Sequence, residues 1–517
     1  MAAATPALGQ HGGDEPALLL GGYSALAESA WMGSVQATEV LEPLRFGWPR
    51  RRLPLPRLPR LRLAGLLTRE FGIAEAAFIL MASFFLSALL GAVRQILFNA
   101  QFGAGGEANA YYAAFRLPDT LFSLIAGGAL SSAMIPVLVG AAREDGEGAG
   151  WRLTNLVLTA LLAAFALVVL VGEVFTPFFV SRLLAPGFDA ETSRLTVALT
   201  RVMLLQPLVL AVGSVATAVL NSRNQFLLTG LSVVSHNVTL IAGILAARAY
   251  PGLGIYGPTL GVVAGAVLQA LILLPGLLGR DFRCRPAWDP RDPRLREVVR
   301  LLIPNGLSVG VGYAGFILDT AFASQARERA GLPAIQNAWL LVGLPIALLG
   351  QAVGQSAFPR LAAHAAALEW GQLRRTLLRS LGAVIALSIP ALLGLIALGR
   401  PVIRILFEHG KYDAAAGALT YAVLTPYAVA LPAYVGTEVI TRGLIALRDT
   451  RTPLLTNSVQ FAGRAAIMAA LLGSVGVVAI PIAFAVTASL EMVAQGAILL
   501  LKLRRRLAAG PALVAAA

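Results

Sequence analysis

Charge is scarce in this 517-residue chain: Asp, Glu, Lys and Arg make only 13% of it, against 57% hydrophobic residues. A soluble domain is about a quarter charged, so a water-covered globular surface is excluded. The mean hydropathy of +0.74 places most of the chain in lipid. Cysteine is nearly absent. Cys284 alone excludes an internal disulfide framework and any Cys-rich metal site. The 4 histidines, in no HExxH or paired spacing, leave nothing from which to build a metal centre. There is no Walker A loop, no Ser/His/Asp or Cys/His constellation, and no extramembrane stretch large enough for a catalytic domain. Transport is therefore a better class than catalysis. A net charge of +14 would suggest nucleic acid in a soluble protein. Here its placement matters more, and no nucleic-acid partner is expected.

What is present begins with residues 1–70, which differ from the rest. The tract Arg45-Phe-Gly-Trp-Pro-Arg50-Arg-Arg52-Leu-Pro-Leu-Pro-Arg57 supports neither helix nor core. The apolar run at Leu18–Leu20 is too short for a signal peptide. This segment reads as a disordered basic cytoplasmic extension able to hold anionic headgroups, at about 1 kcal/mol per arginine, or as a topology signal.

From Phe71 onward, runs long enough to cross a bilayer recur at 73–98, 109–141, 153–177, 195–220, 227–249, 257–279, 297–323, 336–362, 376–398, 415–442, 453–474 and 476–501. That predicts an all-α polytopic membrane protein of about twelve transmembrane helices. Breaks after even-numbered spans, with Arg143, Arg223, Arg374, Arg448 and the cluster at 280–300, are richer in arginine than those after odd-numbered ones. With the basic tail at Lys502–Arg506, this predicts both termini in the cytoplasm. The long basic break falls after six spans, dividing the chain into an N-terminal lobe at 71–279, a cytoplasmic linker at 280–300, a C-terminal lobe at 301–502 and a basic tail at 503–517. Leu117-Pro118 answers to Leu344-Pro345, Pro136-Val-Leu138 to Pro359-Arg-Leu361, and Arg223 to Arg448, at nearly constant separation. The halves thus read as parallel six-helix repeats, a design that binds substrate between them.

Ionisable residues inside spans mark candidate sites. Arg116 and Asp119 lie one helical turn apart in the second span, among Pro118, Gly127-Gly128 and Pro136, and are placed to pair. Arg94 ends the first span, either lining a cavity or snorkelling to the interface. Asp319 stands mid-span, where it binds a proton or sodium ion or neutralises Arg464, itself mid-span. Glu438 and Arg442 form another turn-spaced pair, and Glu491 has no obvious local partner. His236-Asn237, Gln351 and Gln355 read as interhelical hydrogen-bonding groups. Arg94, Arg116, Asp119 and Arg464 are the candidate substrate-binding residues; Asp319, Glu438 and Glu491 are the candidates for ion or proton coupling.

The stretch Phe115-Arg-Leu-Pro118-Asp119 followed by Gly127-Gly128 and Ile135-Pro136-Val-Leu138 resembles the second span of the lipid II flippase (MurJ/MviN) family, within the multidrug/oligosaccharidyl-lipid/polysaccharide exporter superfamily. Gly91-Ala-Val-Arg94, Ala185-Pro-Gly-Phe188, Leu406-Phe407-Glu-His-Gly410-Lys411-Tyr412 and Ala446-Leu-Arg448-Asp449 also agree with the family in their order along the chain. The resemblance implies two six-helix lobes, alternating access and a cationic cavity. Through that cavity undecaprenyl-pyrophosphate-linked peptidoglycan precursor would pass from the inner to the outer leaflet of the bacterial cytoplasmic membrane. It implies no cofactor, with Na+, H+ or the membrane potential as drivers, and lipid-linked glycan, membrane lipids and cell-wall synthesis machinery as partners. Arg94 and Arg116 fall on basic positions of the family pattern. Other family arginines fall on Ala88, Phe122, Ser123 and near Leu340, beside Trp339; acidic positions fall on Gln95 and Gly127. Asp319 falls on a position where some members hold sodium, with Arg464 near another, so a tethered guanidinium stands in for the ion. Many members carry two further C-terminal helices beyond the twelve expected here. A polysaccharide-unit or drug exporter of the same superfamily is the alternative, and a glycan-transferring membrane enzyme a more distant one.

Overall fold

The computed structural model describes residues 69, 71–125, 129–278 and 284–514, so the expected disordered extension at 1–70 lies almost wholly outside it, as do Gly127, Gly128, Arg280 and the side chains of Gln351 and Gln355. The described residues are helical almost throughout. In order they form α1 (Ile73–Phe102), α2 (Gly106–Ile125), α3 (Ala129–Asp145), α4 (Glu147–Phe179), α5 (Ala190–Met203), α6 (Leu205–Ser222), α7 (Phe226–Ala249) and α8 (Tyr256–Leu278). Then follow α9 (Pro293–Ser324), α10 (Gly331–Pro345), α11 (Ala352–Ala366), α12 (Trp370–Leu406), α13 (Ala414–Ala446), α14 (Arg451–Val475) and α15 (Ala479–Val514). Among the described residues every expected span falls largely on helix. By length and hydropathy 9 stretches among the described residues suit a crossing, the last of which, Arg451–Ala508, holds both α14 and most of α15. α2 is not among them, and it is the helix that carries Arg116 and Asp119.

Apolar side chains cover the outside. Phe85, Ile405 and Val459 are more than two-thirds exposed, on α1, α12 and α14, as lipid-facing residues are. The inside packs through small residues. A Cβ on Gly243 of α7 would lie 2.4 Å from the Gly257 carbonyl oxygen of α8, so these backbones meet at a distance only glycine allows. The repeat expected around Arg223 and Arg448 has a backbone counterpart: the turns after α6 and α13 each use a non-glycine residue at positive φ, Asn224 at 57° and Arg448 at 60°. The α10–α11 segment passes through a π-helical stretch, Ile346–Gln351, directly after Pro345. Pro345 supplies no N–H to the ladder, which favours a local change of winding.

Loops after odd-numbered spans gather at one end of the bundle, here the far face, and the 284–292 segment lies at the other, the linker face. At the far face the two halves are joined by neutral groups. The Gln95 amide donates to Asn337 Oδ1 (2.7 Å) and Tyr112 Oη (2.7 Å), and Asn99 donates to the same Asn337 oxygen (3.0 Å). Asn109 Oδ1 accepts the Leu332 N–H (3.2 Å), Ser324 Oγ accepts the Gly187 N–H (3.1 Å), and the Ala100 carbonyl accepts the Lys411 N–H (2.8 Å). Gln95, Asn99 and Asn337 are buried. Asn337→Ala removes the oxygen that two buried donors share, at about 1–3 kcal/mol per orphaned group. It is expected to speed amide hydrogen exchange at the ends of α1 and α10 while leaving the linker face unchanged.

Candidate functional site

A cleft between the halves is lined by Arg116 of α2, by Phe316, Asp319 and Thr320 of α9, by Gln336 and Trp339 of α10, and by Tyr427 of α13. It encloses about 10 Å³, room for about one water. Nothing of glycan size fits unless the halves move apart.

Arg116 reaches across this cleft. Its Nε donates to Thr320 Oγ1 (3.2 Å), an Nη donates to Gln336 Oε1 (3.4 Å), and its guanidinium lies 5.3 Å from the Phe316 ring centre. All three neighbours are neutral. The expected pair with Asp119 does not form: no ion pair or hydrogen bond joins them. The cause is reach, because Arg116 extends over the cleft to α9 and α10 instead of lying back along its own helix. Asp119 is half-buried and takes no hydrogen bond among the described residues.

The pairing of Asp319 with Arg464 does form, between α9 and α14. Asp319 Oδ2 accepts from Arg464, with the side chains 7% and 2% exposed. The guanidinium lies 5.0 Å from the Phe484 ring centre, and Asp319 Oδ1 takes no hydrogen bond. Around it, Trp339 meets Tyr427 edge-on at 5.5 Å, Phe316 at 5.7 Å and Phe484 at 6.0 Å. This ring cluster is contributed by α9, α10, α13 and α15, so no local spacing in the sequence marks it. Near Leu340, where the family pattern has an arginine, the chain places Trp339 in the cluster. Phe122 packs against the apolar core of the first half, and Ser123 is buried.

Arg94 is elsewhere. It donates to Asn237 Oδ1 (3.0 Å) on α7, whose amide in turn donates to Ser87 Oγ (2.9 Å), fastening α1 to α7 inside the first half. It shares no hydrogen-bond partner with Arg116. Glu438 and Arg442 pair as expected, at 3.6 Å. Glu491 does have partners, contrary to expectation: Gln495 one turn on (2.9 Å) and Thr456 of α14 (3.4 Å), with Thr441 of α13 bonded to Gln495 (2.9 Å). The i,i+4 spacing of Glu491 and Gln495 was the readable sign. Among the described residues no group of three His, Cys, Asp or Glu is placed to hold a metal.

A solved structure described as "Lipid II flippase MurJ, inward closed conformation" superposes with a TM-score of 0.68 at 22% identity, over 81% of this chain and 86% of that one. An inward-facing multidrug resistance MATE transporter of the MOP superfamily superposes with a TM-score of 0.67 at 13% identity, over 82% and 96%. The chain is thus a polytopic membrane protein with the MOP-superfamily fold. The sequence profile "Lipid II flippase MurJ" matches residues 98–516, and the chain belongs to the lipid II flippase family. The lipid II flippase MurJ of Burkholderia cenocepacia is 30% identical over 384 residues, covering 71% of this chain and 72% of its own length. The probable lipid II flippase MurJ of Rhizobium meliloti is 28% identical over 385 residues, covering 73% and 71%.

Removing either partner of a buried ion pair strands the other charge, at about 3–5 kcal/mol. Asp319→Ala and Arg464→Ala are each expected to lower the melting temperature of the purified protein sharply. The double variant is expected to be less destabilised than the sum of the two, with a coupling of at least about 1 kcal/mol.

Proposed function

We propose that this chain carries lipid II, the undecaprenyl-pyrophosphate-linked peptidoglycan precursor, from the inner to the outer leaflet by alternating access, in cell-wall biosynthesis. One observation carries the reading. Arg116 stands at the joint between the halves and, among the described residues, hydrogen-bonds only neutral groups; of the carboxylates that act on it, Asp119 forms no ion pair with it and Asp319 is already bound to Arg464, so its charge remains available to a phosphate. Membership of the lipid II flippase family supports it. On this reading Arg116 meets the pyrophosphate when the halves part. Arg94 supplies positive charge from the first half, and Asp119 tunes the field beside Arg116. Arg464, already neutralised by Asp319, backs the site. The apolar outer faces of the helices leave the polyprenyl tail in lipid while the head crosses. The two lobes take 71–279 and 301–502, joined by the linker at 280–300, with a basic tail at 503–517.

The driver on this reading is a cation or the membrane potential. Asp319 Oδ1, Glu438 and Glu491 are the carboxylate groups inside the second half that could respond to Na+ or H+. The cell-wall synthesis machinery is the partner that consumes the delivered precursor.

Expression of the chain in bacteria depleted of their lipid II flippase is expected to restore growth. Arg116→Ala should lower the transport rate at least tenfold, consistent with a charge-assisted hydrogen bond of about 1.5–3 kcal/mol. Arg116→Lys should retain part of the rate, and Arg94→Ala should reduce it. No rescue by well-expressed wild-type protein, or full rescue by Arg116→Ala, would overturn the assignment. The arginine-rich linker face supports a topology with both termini in the cytoplasm. Alkaline phosphatase fused after residue 514 should therefore be inactive and a fluorescent protein there bright; the reverse would invert the topology.

A further inference from the structure

The linker face holds a second cleft, remote from Arg116 and unused by the transport cycle described above. Its wall is the extended segment before α9, which is pinned to α4 through its backbone. Asn155 Oδ1 accepts the Arg285 N–H and Thr159 Oγ1 accepts the Ala287 N–H, each at 3.1 Å. Between this wall, α4 and the first turns of α9 lies a space of about 370 Å³. That is within the range of roughly 300–1,000 Å³ typical of ligand sites.

The chemistry of the cleft is divided. Leu156 and Ala160 of α4 and Leu295 and Val299 of α9 give it an apolar floor. At its rim stand Arg296 and Arg300, one helical turn apart on the same face of α9 and both exposed. Arg296 Nε donates to the Pro290 carbonyl oxygen (3.1 Å), which fixes the guanidinium while the rest of its donor fork stays open. No ion pair neutralises either arginine among the described residues. The acidic lining residue, Asp289, is instead held by Arg152 at 3.5 Å. Arg294, close by, is taken by Glu144 at 3.2 Å and by Asp145. Asp289, Glu144 and Asp145 are therefore spent on other cations, while Glu297, exposed beside Arg296 on α9, forms no ion pair with either arginine. Trp288 projects beside the arginines and is 65% exposed.

We propose that this cleft binds one anionic phospholipid of the adjacent leaflet. An acyl chain lies on the Leu156–Val299 floor, the phosphate sits on Arg296 and Arg300, and Trp288 stands at headgroup level. Basic pockets between membrane helices take phosphate-bearing lipids in this manner, and tryptophan is enriched at that depth. A free phosphate would leave the apolar floor exposed, and a zwitterionic lipid would bring its own cation against two arginines. The occupied site fastens the first turns of α9 to α4. The inference rests on the membrane-spanning fold and not on the identity of the transported lipid, so a failed flippase assay leaves it standing.

The test uses the full-length protein in mixed micelles, with bound lipid read by native mass spectrometry. Phosphatidylglycerol is expected to be retained at least fivefold better than phosphatidylcholine of the same chains. The Arg296→Ala/Arg300→Ala variant should fall to the phosphatidylcholine level, and the Arg296→Lys/Arg300→Lys variant should keep most of the preference. Ala160→Trp fills the floor with both arginines intact and should also lower retention, so a folding defect in one variant does not decide the matter. Equal retention of the two lipids, or a preference unchanged by both the double alanine variant and Ala160→Trp, would overturn the proposal. Displacement of phosphatidylglycerol by equimolar undecaprenyl phosphate, lost in Ala160→Trp, would overturn it in favour of the polyprenyl carrier.

Discussion

The ion pair between Asp319 and Arg464 sets the terms for the second half of the molecule. Moving one such ion from water into a medium of low dielectric costs about 20 kcal/mol in the idealised limit. Neither helix could hold its charge alone at that depth. The pair brings α9 against α14, and Phe484 of α15 roofs the guanidinium at 5.0 Å. The ends of α9 obey a different constraint. Near its start, Arg294 is bound to Glu144 and Asp145 of the first half, and at its end Ser324 takes the Gly187 N–H. One helix is thus tied to the second half through Asp319, in its last turns, and to the first half at both ends. Relative motion of the halves must pass through it.

The contacts between the halves divide by kind. At the far face they are amides, hydroxyls and backbone groups, and in the cleft they are Arg116 with Thr320, Gln336 and a ring. Separating neutral hydrogen-bonding groups lets water replace each partner at a net cost near 1 kcal/mol apiece. Separating a buried ion pair would cost several times more. Among the described residues, the fully buried ion pair near the cleft joins two helices of the second half, so it need not break when the far face opens. Such a division suits a protein that must open repeatedly without unfolding.

The helices were legible in the sequence because hydropathy and length are summed over twenty residues, and that sum tolerates local error. Asp319 with Arg464 was legible for a sharper reason: each stood mid-span with no neighbour to satisfy it, so each needed the other. The same logic misled at Arg116. Asp119 stood one turn away, but a guanidinium on a long stem can cross a cleft, and spacing along one helix says nothing of what lies opposite. The amide cluster of Gln95, Asn99 and Asn337 was half visible in the i,i+4 spacing of its first two members. The ring cluster of Phe316, Trp339, Tyr427 and Phe484 was not visible at all, since four helices each supply one member.

Two polar clusters of opposite balance meet on α13, α14 and α15. Near the cleft, two arginines, Arg116 and Arg464, stand with Asp319. Deeper towards the linker face, Glu438 and Glu491 stand with Arg442. α13 carries Tyr427 of the first cluster and Glu438 and Arg442 of the second. α14 carries Arg464 and Thr456, and α15 carries Phe484 and Glu491. Packed helices move as rigid bodies more readily than they bend. Any displacement of α13, α14 or α15 that repacks one cluster therefore shifts members of the other. The cationic cleft and the acidic cluster are thus joined by three shared helices rather than by a chain of contacts.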